Sequence, residues 1–183
     1  MTDDDDDDDQ ADTGEAWLLA DTPENIDGAA SVKFGDSVCS VGGYDATTNA
    51  ATNQVDDGKA DQTLIDNLQV KCWNPLSTKA ARSDSNWIPI PSMTTARYRP
   101  GSVVMDGKLY AAGGYDPISH KFLSSVEVFD DISEAWYSLP GMRQGRAGLG
   151  LAAVGGRLYA AGGWRDHQYL RSVDMYDPFA SGW

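Results

Sequence analysis

Histidine and cysteine are scarce in this chain, two of each in 183 residues. A redox metal centre draws on clustered His, Cys or carboxylate ligands. His120 and His167 fall on separate loops, and neither Cys39 nor Cys72 stands near them, so no metal site is expected. The two cysteines form no spaced metal framework and sit in strand-like runs, so they are expected as reduced, buried small hydrophobes. Long apolar runs are also missing. Nothing approaches the roughly 20 residues that cross a bilayer. The N-terminus has neither the basic nor the apolar segment of a signal peptide, so the chain is expected in the cytoplasm, or the nucleus, and off the membrane. No Gly-x-Ser-x-Gly elbow, phosphate loop or His-Glu-x-x-His is present. The glycine-rich stretch 145–150 precedes a strand rather than a helix. The expectation is therefore a protein that is not an enzyme and holds no cofactor.

Bases are absent from the first 16 residues, which hold nine acids, including the run Asp3–Asp9. A like-charged run repels itself and buries nothing, so residues 1–16 are expected to be a disordered, solvated tail. A competitor ligand for the protein's own basic surface, or a weak cation site, is the alternative use of that run. The other 167 residues carry 19 acids against 14 bases, a mildly acidic body. Nucleic-acid binding calls for a strongly basic domain and is not expected.

What the chain does have is internal repetition. The double glycines Gly42-Gly43, Gly113-Gly114 and Gly162-Gly163 anchor it, the last two pairs 49 residues apart. Ahead of them, residues 101–112 and 150–161 read as paired short strands joined by Asp106-Gly107 or Gly155-Gly156, a strong hairpin signal. Behind them, Val126-Glu127-Val128-Phe129 and Val173-Asp174-Met175-Tyr176 alternate apolar and charged residues, as a half-buried third strand does. A fourth strand starts at Trp136. Trp17, Trp87 and Trp136 precede the double glycines by 25, 26 and 26 residues, and Trp183 takes the same place at the end of the chain. The first repeat is 22 residues longer than the second, and its insert, residues 45–66, is expected to be a mobile loop.

Strand–turn–strand–Gly-Gly–strand–Trp at about 50 residues resembles the kelch family. The matching details are Met93-x3-Arg97-x3-Gly101, Met142-x3-Arg146-x3-Gly150, and the aromatic after each double glycine (Tyr44, Tyr115, Trp164). The first repeat departs, with Thr22, Ile26 and Ala30 at the Met, Arg and Gly positions. The resemblance covers residues 17–183, divided Trp-to-Trp at 17–87, 87–136 and 136–183. It implies an all-β fold: a kelch β-propeller of about three four-stranded antiparallel blades. That is a partial propeller, whose remaining blades come from a longer chain or from self-assembly. Trp87, Trp136 and Trp183 are expected to pack between blades, and the double glycines to meet backbone demands.

In a four-stranded meander, the connections between blades and those after the double glycine share one end. That end gathers Arg97, Tyr98, Arg99, Arg143, Arg146, Trp164, Arg165 and His167, the candidate partner-binding residues. Arginine and aromatics dominate binding hot spots, and arginine pairs bidentately with carboxylates. An acidic or phosphorylated segment of a partner protein is the expected ligand. For Arg97 and Arg146, which recur at one repeat position, capping of strand carbonyls inside each blade is an equal expectation. The resemblance further implies substrate recognition for a cullin-type ubiquitin ligase. Actin binding, or a kelch-type enzyme of the sugar-mutarotase or oxidase kind, are the alternatives.

Overall fold

The computed structural model describes residues 26–45, 70–73, 87–117, 119–180 and 182–183. The expectations of a disordered tail at 1–16 and a mobile insert at 45–66 lie outside these residues, apart from Asp45, as does Trp17.

Every regular element described is a strand. The first blade consists of β2 (Ala30–Phe34), β3 (Ser37–Val41), β5 (Val70–Trp73) and β6 (Trp87–Ile90), preceded by β1 (Ile26–Asp27) and with β4 (Tyr44–Asp45) following β3. The second has β7 (Gly101–Met105), β8 (Lys108–Ala112), β11 (Val126–Asp130) and β12 (Ala135–Leu139). Between β8 and β11 lie the two-residue strands β9 (Tyr115–Asp116) and β10 (Lys121–Phe122). The third has β13 (Gly150–Val154), β14 (Arg157–Ala161) and β17 (Val173–Tyr176), with β15 (Trp164–Arg165) and β16 (Gln168–Tyr169) between the last two. All pairings are antiparallel, and within each blade every strand pairs with the next strand of that blade, so each blade is a meander. Among the described residues the third blade has three strands, against the four expected of a blade. Trp183, the last residue, occupies the place where Trp87 and Trp136 lie in the fourth strands of the other two.

Strand β7 packs against both β2 and β13, so the first strands of the three blades stand side by side along one line. The blades face one another through their alternating side chains. Cys39, Val41 and Val70 of the first blade meet Leu109, Ala111, Phe129 and Trp136 of the second. On its other face the second blade presents Met105, Tyr110 and Val128 to Leu158 and Tyr176 of the third. The central blade is thus apolar on both faces, and β8 is buried from Leu109 through Ala112. The tryptophans close each junction. The Trp136 indole N–H donates to the Pro91 carbonyl at 2.7 Å, and Trp183 repeats the bond to Pro140 at 2.8 Å.

Blades are also joined through their double glycines. An added Cβ on Gly113 would lie 2.5 Å from the Arg146 carbonyl, and the Gly114 N–H donates to that same oxygen at 2.8 Å. At the preceding junction Gly42 and Gly43 stand in the same relation to the Arg97 carbonyl, at 2.5 and 3.0 Å. These glycines hold positive φ, near 63–65° at the first of each pair and 99–106° at the second.

The cysteines depart from expectation. Cys39 and Cys72 are direct cross-strand partners on β3 and β5, and they form a disulfide rather than two reduced thiols. Sequence spacing gave no sign of this, because 33 residues separate them and only the strand register brings them opposite one another. No helix among the described residues is long and apolar enough to cross a membrane.

Candidate functional site

The segment leading into each blade carries most of the candidate residues, and the fold sorts them. Arg97 and Arg146 are fully enclosed, each at 0% exposure. The Arg97 guanidinium donates to the carbonyls of Gly113 and Ser125 at 2.8 and 3.0 Å, to the Ser125 hydroxyl at 3.0 Å, and to Glu127 Oε1 at 2.8 Å. Arg146 repeats this with Gly162, Ser172 and Asp174, the ion pair spanning 3.1 Å. Both arginines therefore leave the partner-contact set read from the sequence. They are rivets that hold the lead-in segment to the start of the third strand.

The buried carboxylate is well furnished. Glu127 Oε2 accepts the Thr94 N–H and hydroxyl, each at 2.7 Å, and Oε1 accepts the Thr95 N–H at 3.2 Å. Burial acts to raise the Glu127 pKa, but the bonds from Thr94 and the Arg97 charge outweigh it, and the carboxyl sits below its ordinary value. For Arg97, burial lowers the pKa and Glu127 partly restores it.

Two residues after each rivet position the chain turns through positive φ: Gly28 at 68°, Arg99 at 53° and Gly148 at 61°. These three equivalent positions are chained by backbone hydrogen bonds, Gly148 N–H to Arg99 O and Arg99 N–H to Gly28 O, both 2.8 Å. Arg99 is thus an arginine in a conformation its neighbours reach with glycine. For a residue with a Cβ this conformation costs of order 1 kcal/mol. Its side chain is exposed, and its guanidinium lies 4.9 Å from the centroid of the Tyr98 ring. The Tyr98 hydroxyl donates to Asp27 at 2.7 Å, and burial followed by this bond raises its pKa.

Beside Arg99 is a hollow of about 430 Å³ lined by Ala147, Gly148, Gly163, Trp164 and Tyr169. The short hairpin β15–β16 supplies Trp164 and Tyr169 to it, and β9–β10 is its counterpart in the preceding blade, each continuing from a double glycine. Their rings form a row. Tyr115 meets Phe122 at 5.3 Å, Phe122 meets Trp164 at 5.1 Å, and Trp164 meets His167 at 5.8 Å, all edge to face. Phe122 was not among the candidates, although its position in an apolar–charged step after the second double glycine marks the return strand of a hairpin. Tyr169 is 87% exposed and Trp164 38%.

Of the expected partner-binding residues, the hollow gathers Arg99 and Trp164, with Tyr98 beneath the guanidinium and His167 against the indole. Arg143 is exposed but does not line it, and Arg165 is held by its neighbour Asp166 at 2.9 Å. No carboxylate among the described residues pairs with Arg99 or Arg143. The hollow offers one guanidinium that rests on the Tyr98 ring and has no carboxylate partner among the described residues, beside a wall of aromatic rings, suited to an anionic group next to a flat apolar one.

On the opposite end, Asp130 and Asp177 are engaged within the blades. Asp130 pairs with Lys108 and accepts the backbone N–H groups of Ile132 and Ser133. Asp177 pairs with Arg157 at 2.9 Å and accepts the Phe179 N–H. Lys108 chiefly lowers the pKa of Asp130, and the Phe179 N–H that of Asp177.

Comparison with known proteins agrees with the repeat. The kelch motif matches residues 96–143 and 145–178. A solved structure titled "Structure of YjhT" superposes with a TM-score of 0.59 at 18% identity, over 80% of this chain and 37% of that chain. At that identity the likeness is one of fold, and this chain spans little more than a third of the other's length.

Proposed function

We propose that this chain, whose residues 96–143 and 145–178 match the kelch motif, is a protein-interaction module whose Arg99 face takes an acidic or phosphorylated segment of a partner. Kelch repeats generally mediate contacts between proteins, and the finer reading rests on one observation. Arg99 keeps an exposed guanidinium, with no carboxylate partner among the described residues, at the edge of an aromatic hollow, in a backbone conformation that its repeat counterparts give to glycine. Strain of this kind points toward use.

The test is titration of an acidic peptide and its phosphorylated form into the purified chain, compared with Arg99→Gly. Glycine suits the positive φ, so the fold should be kept, while loss of a charge-assisted bidentate contact should weaken binding by roughly tenfold. Binding should also fall as salt rises. Unchanged affinity in Arg99→Gly combined with Arg143→Ala would remove the arginine-face reading.

Within this proposal, substrate recognition for a cullin-type ubiquitin ligase is the favoured setting, and it requires the cytoplasm or nucleus. The Cys39–Cys72 pair bears on that requirement, since disulfides persist mainly in oxidising compartments. Alkylating thiols in intact cells before lysis decides it: labelled cysteines keep the ligase setting, and protected ones remove it. The non-catalytic half of the reading is tested by incubating the chain with reducing sugars, and any turnover overturns it. Co-sedimentation with actin filaments checks the third reading.

A further inference from the structure

A second hollow, of about 470 Å³, opens between the first and second blades at the end opposite Arg99, among the hairpin turns. Volumes of 300–1,000 Å³ are usual for small-molecule sites. Its origin lies in the repeat. By strand register, Cys39 and Cys72 hold the places that Tyr110 and Val128 hold in the next blade. At the junction of the second and third blades, Tyr110 and Val128 pack with Met105 against Leu158 and Tyr176 and fill the interior. At the junction of the first and second, a compact disulfide replaces a phenol ring and a valine. Beside the pair lies the cleft, walled by Phe34, Ile88 and Val104, with Cys72, in the place of the valine, among its lining residues.

Two carboxylates complete the lining, Asp36 from the β2–β3 turn and Asp131 just after β11, and both are exposed. No basic side chain among the described residues lines the cleft. The nearby Lys108 is already engaged by Asp130. The walls suit an apolar ring, and the charged residues among them suit a cation.

We propose that this cleft binds a small aromatic amine, its ring against Phe34, Ile88 and Val104 and its ammonium facing Asp36 and Asp131. The site is separate from the Arg99 face and prefers the opposite charge. Neither reading depends on the other.

The experiment titrates three probes with the same phenol ring into the full 183-residue chain, followed by calorimetry or NMR. Tyramine carries the ammonium, p-cresol has no charge, and 4-hydroxyphenylpropionate is an anion. Tyramine should bind saturably, p-cresol about two- to fivefold more weakly, as expected for exposed charge pairs, and the anion more weakly still. Asp36→Asn with Asp131→Asn should bring tyramine and p-cresol level. Val104→Phe should fill the cleft and abolish binding. Should that variant fail to fold, Ile88→Phe places the added ring at a residue 45% exposed and serves the same purpose. Equal binding of the anion and tyramine, no saturable tyramine signal, or unchanged affinity in a folded ring-filling variant each overturns the proposal.

Discussion

At the scale of single residues, one repeat position separates structure from function. Arg97 and Arg146 recur in step with the glycines, and in sequence ligand contact and capping of strand carbonyls are equal expectations for them. Their recurrence has a structural cause: just ahead of the third strand of the second and third blades stands a serine, followed two residues later by an acid, Ser125-Glu127 and Ser172-Asp174, and the arginine binds both. The partner was visible in the sequence, but which end of the guanidinium faced inward was not. Removing Arg97 strands Glu127 without its cation, so Arg97→Ala should cost about 3–5 kcal/mol in denaturant unfolding. The pH dependence has a definite sign. The folded pKa of Glu127 is depressed, so its stabilisation is complete above the unfolded value, about 4.3, and drains away as pH falls through the folded one. Glu127→Gln should be less stable near neutrality and should lose less of its remaining stability on acidification. A parallel shift of both unfolding curves would count against the assignment. Arg99, which does not fit the buried-pair pattern, is the residue on which the proposed function rests, and the sign that singles it out is its counterpart Gly148. That comparison requires the fold, since only the backbone bonds Gly28–Arg99–Gly148 establish the equivalence.

At the scale of elements, alternation and turn chemistry made the strands legible. The Asp106-Gly107 and Gly155-Gly156 hairpins, the third strands and the fourth strand at Trp136 all lie where the sequence puts them. Two things were not legible. The hairpins β9–β10 and β15–β16 have strands of two residues, too short for any period to register. The disulfide depends on the β3–β5 register, which the long insert conceals. Cross-linking residues 33 apart should contribute about 3–4 kcal/mol by restricting the unfolded chain. Reductant should therefore lower the melting temperature of the natural chain and leave a Cys39→Ser, Cys72→Ser variant unaffected. An unchanged melting temperature in reductant would show that the bond contributes nothing. The double glycines permit a cleaner comparison. Gly113 and Gly162 share φ near 62–63°, so alanine incurs similar backbone strain at both. At Gly113 the new Cβ also meets the Arg146 carbonyl at 2.5 Å, whereas at Gly162 the nearest atom is 3.6 Å away. Gly113→Ala should be clearly more destabilising than Gly162→Ala, and the difference measures the blade-to-blade junction alone. Equal losses would assign the glycines to local conformation only.

At the scale of the molecule, the two ends of the blade stack differ. The outward face of the third blade repeats, position by position, the face that the second blade buries. Val173 is 61% exposed where Val126 is at 0%, and Val154 is 62% exposed where Met105 is at 6%. Tyr159 and Met175 stand where Tyr110 and Val128 are covered. This face is built for another blade, and at about 25 cal/mol per Å² its apolar area represents a substantial unrealised stabilisation. The corresponding outward face of the first blade is different in kind. Ser31, Lys33 and Lys71 take the places of Ser102, Val104 and Glu127, as suits an end that meets water. A head-to-tail ring of copies would bury those lysines against Arg157 and an apolar face, where the nearby carboxylates Asp174 and Asp177 are already paired with Arg146 and Arg157. Association through the third blade alone is therefore expected, pairing two copies or receiving further blades. Sedimentation of the purified chain should show a concentration-dependent dimer and no larger closed ring. Val173→Glu with Met175→Glu should return it to monomer without loss of β-sheet signal, because in the isolated chain both side chains already face solvent. A ring-sized assembly that survives this double substitution would mean that the lysine-bearing face takes part after all, and the one-ended stack would have to be abandoned.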